Sequence, residues 1–157
     1  MSSDPSPGFE LPLRLFLAFR TLIDDLHDEL ARQGHADVRP MHGFVFQAIG
    51  PAGTTAAELG RRLGVSKQAA GKTIDALERL GYVERGTDPR DARRKTVRLT
   101  DRGTDCLDRS ARIFDRLRAN WAEVLGEDRL RALEDDLRKM TSAEPFLLDV
   151  PGWFGGS

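Results

Sequence analysis

A single cysteine, Cys106, serves the whole chain of 157 residues, so no internal disulfide can brace it. This usage fits a reducing cytoplasm, where the protein is expected to reside. No apolar run reaches the roughly 18 residues of a spanning helix, and no membrane association is expected. Met1 to Gly8 lacks a basic stretch followed by an apolar one, so it does not read as a secretory signal. Equally missing are a glycine-rich phosphate loop, a metal-protease helix and a strand-turn-helix nucleophile elbow. His27, His35 and His42 are the only histidines. Their spacing fits no standard metal site, and the cysteine is distant in sequence. Neither an enzyme nor a resident metal or other cofactor is therefore expected.

What remains is a soluble globular composition, 39% hydrophobic and 31% charged, long enough to bury a core in one domain or in a small domain flanked by accessory helices. The net charge is only −1, but it is unevenly spread. Between Thr55 and Thr100 there are 11 Lys and Arg against 6 Asp and Glu, while the remainder holds 13 against 19. A basic middle between acidic ends suits a protein that meets phosphate with one face. Chance unevenness of a charged surface would look similar, so the pattern needs a motif beside it.

Periodicity supplies the order of elements. Residues 1–10 read as a flexible arm. From Pro12, Leu15, Phe19, Leu22, Leu26 and Leu30 recur at helical spacing, predicting a long amphipathic helix within 11–36 that ends near Gly34. Phe16 and Ile23 widen its apolar face. Pro40 opens a shorter helix containing Phe44, Val45 and Ile49, closed by Gly50-Pro51. Thr55-Ala56-Ala57-Glu58 has the form of a capping box ahead of Leu59 and Leu63. Gly64-Val65-Ser66 then makes a tight turn, with Ser66 as the next N-cap and Ala70, Ile74, Leu77 and Leu80 as the inward face that follows. Two short helices joined in this way form a helix-turn-helix.

Fixing the inward face fixes the outward one. Lys67, Gln68, Gly71, Lys72 and Asp75 project from the start of the second helix, where a recognition helix meets base edges in the major groove. Gln68 can pair bidentately with adenine, and the lysines can reach guanine or phosphate. A solvated lysine face is the plainer alternative. Gly71 has two readings, close approach of DNA or of a packed helix, and simple tolerance. Beyond the helix, Tyr82 to Arg85 and Thr96 to Thr100 read as paired strands. The intervening loop, 86–95, carries Arg90, Arg93, Arg94 and Lys95 and can place an arginine in the minor groove. Asp88 and Asp91 suit intramolecular partners that shape the loop.

The run from Ala57-Glu58-Leu59-Gly60 to Val83-Glu84-Arg85, with Asp88-Pro89-Arg90-Asp91-Ala92-Arg93 and Val97-Arg98-Leu99-Thr100, resembles the MarR family of bacterial regulators. The order of elements matches over nearly the whole chain. The resemblance implies a mainly α (α+β) fold: a winged helix-turn-helix over 37–100, with recognition helix 66–80 and wing 82–100. Helices at 11–36 and within 101–157 would form a dimerisation domain. It implies a homodimer on a near-palindromic operator in double-stranded DNA, acting as a repressor released by a small aromatic or phenolic ligand. Arg93 would enter the minor groove and Asp91 would orient it. Ala92 departs from the family, where many members carry a second basic residue, and is expected to weaken wing contacts. By position Phe16, His42, Phe46 and Phe114 can line the family's ligand crevice or simply be core. The other function class is a winged-helix module used for protein interaction, or as a constitutive architectural DNA binder without ligand.

The last helices read independently of the resemblance. Thr100 can cap a helix holding Cys106, Leu107, Phe114, Leu117, Trp121 and Val124 on its inward stripe, which makes Cys106 a buried inert thiol rather than a redox switch. Gly126 breaks it, and Leu130, Leu133, Leu137 and Met140 mark another. The apolar tail from Pro145 to Phe154 is expected to bury against a partner subunit.

Overall fold

A computed structural model describes residues 4–141. Among these residues the order is α1 (Glu10–Arg32), α2 (Pro40–Ile49), α3 (Ala56–Leu63), α4 (Lys67–Arg79), β1 (Val83–Asp88), β2 (Asp91–Leu99), α5 (Asp101–Leu125) and α6 (Glu127–Met140). The two strands pair antiparallel in one hairpin. None of these helices is long and apolar enough to cross a membrane. The apolar tail expected to bury against a partner lies outside the described residues.

Local chemistry sets most boundaries. α1 starts two residues before Pro12, whose missing amide falls in the first turn, where it has no intrahelical partner. Gly50 leaves α2 at φ 70°, and Gly64 closes α3 in the left-handed region at φ 71°. The Thr55 hydroxyl accepts from the Glu58 amide at 3.2 Å. Only half of the expected box forms, however. The Glu58 carboxylate turns to Arg61 and to Arg62 at 3.3 Å instead of back to Thr55. Ser66 caps α4 through Ala69 N at 3.0 Å, and Thr100 caps α5 through Gly103 N at 3.2 Å.

One continuous core holds these pieces together. Leu26 and Leu30 of α1, Val45, Phe46 and Ile49 of α2, Leu59 and Leu63 of α3, and Ala70, Ile74 and Leu77 of α4 meet Tyr82, Val83, Val97, Cys106 and Ile113. Burying a side chain such as Ile74 or Leu77 contributes about 1.5–3 kcal/mol relative to exposure, so α4 is pinned by its inner face. The polar half of its surface is left outward.

The segment before α3 is tied to the wing. Thr54 pairs with Val97, donating at 2.9 Å and accepting at 2.7 Å. Gly53 permits this, since its φ is 79° and a Cβ there would lie 2.8 Å from the Val97 carbonyl oxygen. The start of α5 seats on the α4–β1 junction. A Cβ on Gly103 would stand 2.2 Å from the Tyr82 carbonyl oxygen, so only glycine admits the contact.

Within one chain the first half of α1 stays uncovered: Leu11, Leu13, Leu15, Phe16, Leu17 and Phe19 are exposed, and burial begins at Leu26. The core reaches only the second half of the helix. Val124 of α5 is likewise 84% exposed rather than inward, because it lies near the end of a helix that has run past the core.

Candidate nucleic-acid interface

The outer face of α4 presents Lys67, Gln68 and Lys72 to solvent, with Gly71 partly covered. Together with Ala56, Asp75 and Arg85 they line a shallow concavity between the start of α3, α4 and β1. Ser66 lies at its edge with its hydroxyl committed to the helix cap. A Cβ on Gly71 would meet nothing within 4 Å, so no packed helix accounts for that glycine.

The wing is more ordered than a ten-residue loop. Gly86 pairs with Thr96 and Thr87 with Lys95, extending both strands well past the expected ends and leaving Pro89 and Arg90 as the tip. The register then shifts. Asp88 pairs with Asp91, so Ala92, Arg93 and Arg94 have no opposite residues and form a bulge. Arg90, Arg93, Arg94 and Lys95 are all exposed there.

Both wing carboxylates hold backbone. Asp88 accepts from Arg90 N at 2.9 Å and Asp91 from Arg93 N at 3.0 Å, the local bonds by which aspartate shapes turns. Arg94 Nε lies 3.9 Å from Asp88. Asp91 thus fixes the chain at Arg93 through the amide, and the guanidinium of Arg93 remains outward.

Arg85 is the residue that residue-type reasoning passed over. From β1 it crosses to α4, where its Nη1 donates to Asp75 and its Nη2 to the Gly71 carbonyl at 3.3 Å. Its own amide donates to Glu78 at 3.3 Å. The available signal was Asp75 one turn beyond Gly71 on the outward face, an acid among bases.

Behind this surface lies a polar knot. The Tyr82 hydroxyl donates to Asp37 at 2.5 Å, and Arg102 donates to both at 2.9 and 3.0 Å while lying 4.5 Å from the tyrosine ring centre. Buried His35 sits between the Tyr82 hydroxyl at 2.9 Å and Asp105 at 2.8 Å. Burial, then the Asp37 contact, pushes the Tyr82 phenol up to about 12. Burial would raise Asp37, but the Tyr82 hydrogen bond and the Arg102 charge outweigh it and hold the carboxyl below its ordinary range. His35 is thus committed to this network. No cluster of three or more His, Cys, Asp or Glu suited to a metal occurs among the described residues.

The four residues placed in a ligand crevice do not gather in one cavity. Phe46 is core, 1% exposed and tilted against Tyr82 at 5.4 Å. His42 accepts from Arg39 N at 2.9 Å as a helix-start contact. Burial and the Arg39 charge lower its pKa. Phe114 borders a gap of about 60 Å³ with Cys106, Leu107 and Phe44. Phe16 lines a separate apolar cavity of about 390 Å³ with Phe19, Ile23, Met41 and Phe44. α2 turns its inner face to the core, which separates Phe46 from the α1 surface.

A three-helix core, a helix-turn-helix and a hairpin tied to both define a winged helix-turn-helix protein. Residues 36–94, from the approach to α2 through the wing bulge, match the model of the MarR family. Solved structures share this fold over most of the chain. YusO from Bacillus subtilis is 20% identical, with 90% of this chain and 99% of that one covered at a TM-score of 0.66. MarR from E. coli in its apo form is 24% identical, with 89% and 100% covered at 0.65. The transcriptional repressor CouR, bound to a 23-mer DNA duplex, is 25% identical, with 89% and 99% covered at 0.66. A comparison with curated proteins found no match.

Proposed function

We propose that the chain is a cytoplasmic, sequence-specific DNA-binding transcriptional regulator that works as a homodimer, a repressor released by a small-molecule ligand. The observation that carries the DNA reading is the exposure of Lys67, Gln68 and Lys72 on α4 together with that of Arg90, Arg93, Arg94 and Lys95 on the wing. The α4 side chains suit the major groove, and an arginine on a bulged hairpin suits the narrower groove beside it. Three similar proteins are solved on DNA: CouR on a duplex, a cysteine-to-serine mutant of MarR from E. coli on operator DNA, and a MepR mutant from S. aureus on an oligodeoxyribonucleotide.

Dimerisation is supported by the uncovered apolar side chains of α1 together with Leu133, Leu137 and Met140 of α6. Large apolar side chains exposed in this number mark an interaction surface. The ligand reading rests on the apolar cavity at Phe16, rimmed by Arg20, Asp24 and Arg39; Asp24 lies 3.6 Å from Arg20, which leaves Arg39 as the cation for an aromatic acid. A ligand there releases DNA only by binding the DNA-incompetent arrangement more tightly.

Selection of bound duplexes from a random pool, with the mass of the complex measured on the same sample, tests the DNA and dimer readings together. A near-palindromic site carrying two subunits is expected, with affinity falling steeply with salt. Arg93→Ala should weaken binding to it by about 1–3 kcal/mol. Binding of no duplex, or binding indifferent to salt, overturns the reading and leaves a protein-interaction module. Aromatic carboxylates and phenols added to the complex test release, and failure of all of them removes the ligand half alone.

A further inference from the structure

Asp75 and Glu78 are out of place on a surface that meets phosphate. Asp75 lies on the outward face of α4, one turn beyond Gly71 and three residues beyond Lys72, and its side chain is 51% exposed. A free carboxylate there would oppose a DNA backbone drawn in by the lysines. The geometry shows how that charge is met. The Arg85 fork spans one turn of α4, with one nitrogen on Asp75 and the other 3.3 Å from the Gly71 carbonyl. Nη1 also lies 3.8 Å from Glu78.

As a stabilising device this arrangement is weak, because exposed ion pairs contribute little to folding. Arg85 is 41% exposed and both acids are more exposed still. Its position is nevertheless specific. It is the one β1 side chain among the described residues that bonds to the recognition helix, and a guanidinium fork engages a carboxylate and a carbonyl together where an ammonium would engage one point.

Resting on the DNA-binding reading above, we infer that Arg85 is a positioning residue for DNA recognition: it cancels the Asp75 charge on the recognition face and fixes the wing to α4. It acts through Asp75, and its own contact with DNA is not required. At a few ångströms a lone carboxylate and a phosphate repel by an amount equivalent to roughly a three- to tenfold loss of affinity at the dielectric of water, which suits side chains as exposed as these.

The test is a double-mutant cycle on the full chain, with binding to a selected duplex measured across salt concentrations. Arg85→Ala should weaken binding about tenfold and lower the salt slope, since a net positive charge is lost from the face. Asp75→Asn in the same chain should restore affinity to within about threefold and return the slope to the wild-type value. A direct phosphate contact by Arg85 would leave the double variant as weak as the single, with its slope still reduced by about 0.9, and would overturn the inference. Undiminished binding by Arg85→Ala would also overturn it. Circular dichroism checks folding, and Arg85→Gln, which keeps most of the stem, replaces Arg85→Ala if that variant does not fold. If the wild-type chain binds no duplex, the DNA-binding reading falls first; if it binds and Asp75→Asn fails to rescue, only the Arg85 assignment falls.

Discussion

Two glycines on helices, changed in the same way, should move stability in opposite directions. At Gly103, the third residue of α5, the added methyl would stand 2.2 Å from the Tyr82 carbonyl oxygen, 3.2 Å from its carbon and 3.4 Å from Leu99 Cβ. Carbon contacts are comfortable at about 3.5–4.0 Å, so α5 or the junction must shift by about an ångström. Neither yields easily. The Tyr82 carbonyl accepts from Thr100 N at 3.0 Å, the Thr100 hydroxyl donates to the Gly81 carbonyl at 2.6 Å, and the Tyr82 side chain is fully buried. Overpacking of this kind costs about 1–3 kcal/mol, and the helix gain of at most about 1 kcal/mol from alanine offsets only part of it. A loss of roughly 2 kcal/mol lowers Tm by about 4–8 °C for a chain of this size. Gly71→Ala has no neighbour to strike and keeps the gain, raising Tm by about 2–4 °C. Thermal unfolding at one fixed protein concentration reads both. A Gly103→Ala variant as stable as wild type would show that α5 does not rest on that carbonyl.

Burial pushes the Cys106 thiol up to about 11, so thiol reagents at pH 8 should label it only after denaturation; rapid labelling of the folded chain would contradict its place in the core. Tyr82→Phe removes the hydroxyl shared by Asp37, Arg102 and His35, and should cost about 1–3 kcal/mol in urea unfolding; a cost near zero would show that these groups pair equally well without it. Asp105 is held below its ordinary value of 3.8 by the His35 and Arg109 hydrogen bonds, and Asp37 is also lowered. Because both pKa values are depressed in the fold, the stability they confer is present above that value and fades as pH falls below it. The urea midpoint should therefore drop below about pH 4, and an Asp37→Asn chain that tracks wild type throughout would remove Asp37 from the account. Phe19→Asp, at an exposed position far along α1 from the wing, should yield monomers that bind DNA about a hundredfold more weakly, through lost bivalency; monomers binding as tightly as wild type would remove the dimer from the DNA reading.

Legibility in the sequence followed how local each decision is. The turn at Gly64 to Ser66 and the cap at Thr100 depend on residues a few positions apart, and they stand where spacing puts them. The inward face of α4 also followed from period alone at Ala70, Ile74 and Leu77. The wing did not. Strand pairing over Gly86–Thr96 and Thr87–Lys95 is decided by backbone bonds that polar side chains do not announce. Long-range contacts were equally silent. Nothing near Arg85 signals its reach to Gly71, and nothing near His35 signals Tyr82, 47 positions away. The apolar stripe of α1 was visible, but a stripe does not say whether its own chain or another covers it.

The same long-range contacts make α4 answer to the rest of the molecule. Tyr82 closes the junction between α4 and β1: its amide donates to the Leu77 carbonyl at 3.0 Å, and its side chain is held from the α1–α2 connection by Asp37 and from α5 by Arg102. Gly103 removes the slack between α5 and that junction. A rotation of α5 relative to α1 therefore cannot leave α4 where it was, since a dense interior passes a displacement on rather than absorbing it. On the dimer proposed above, with α1, α5 and α6 between the subunits, a change in how the two subunits meet would alter the separation of the two α4 faces. On that proposal, control of DNA binding needs no contact with Lys67, Gln68 or Arg93; it needs only an agent that favours one arrangement of the long helices over another.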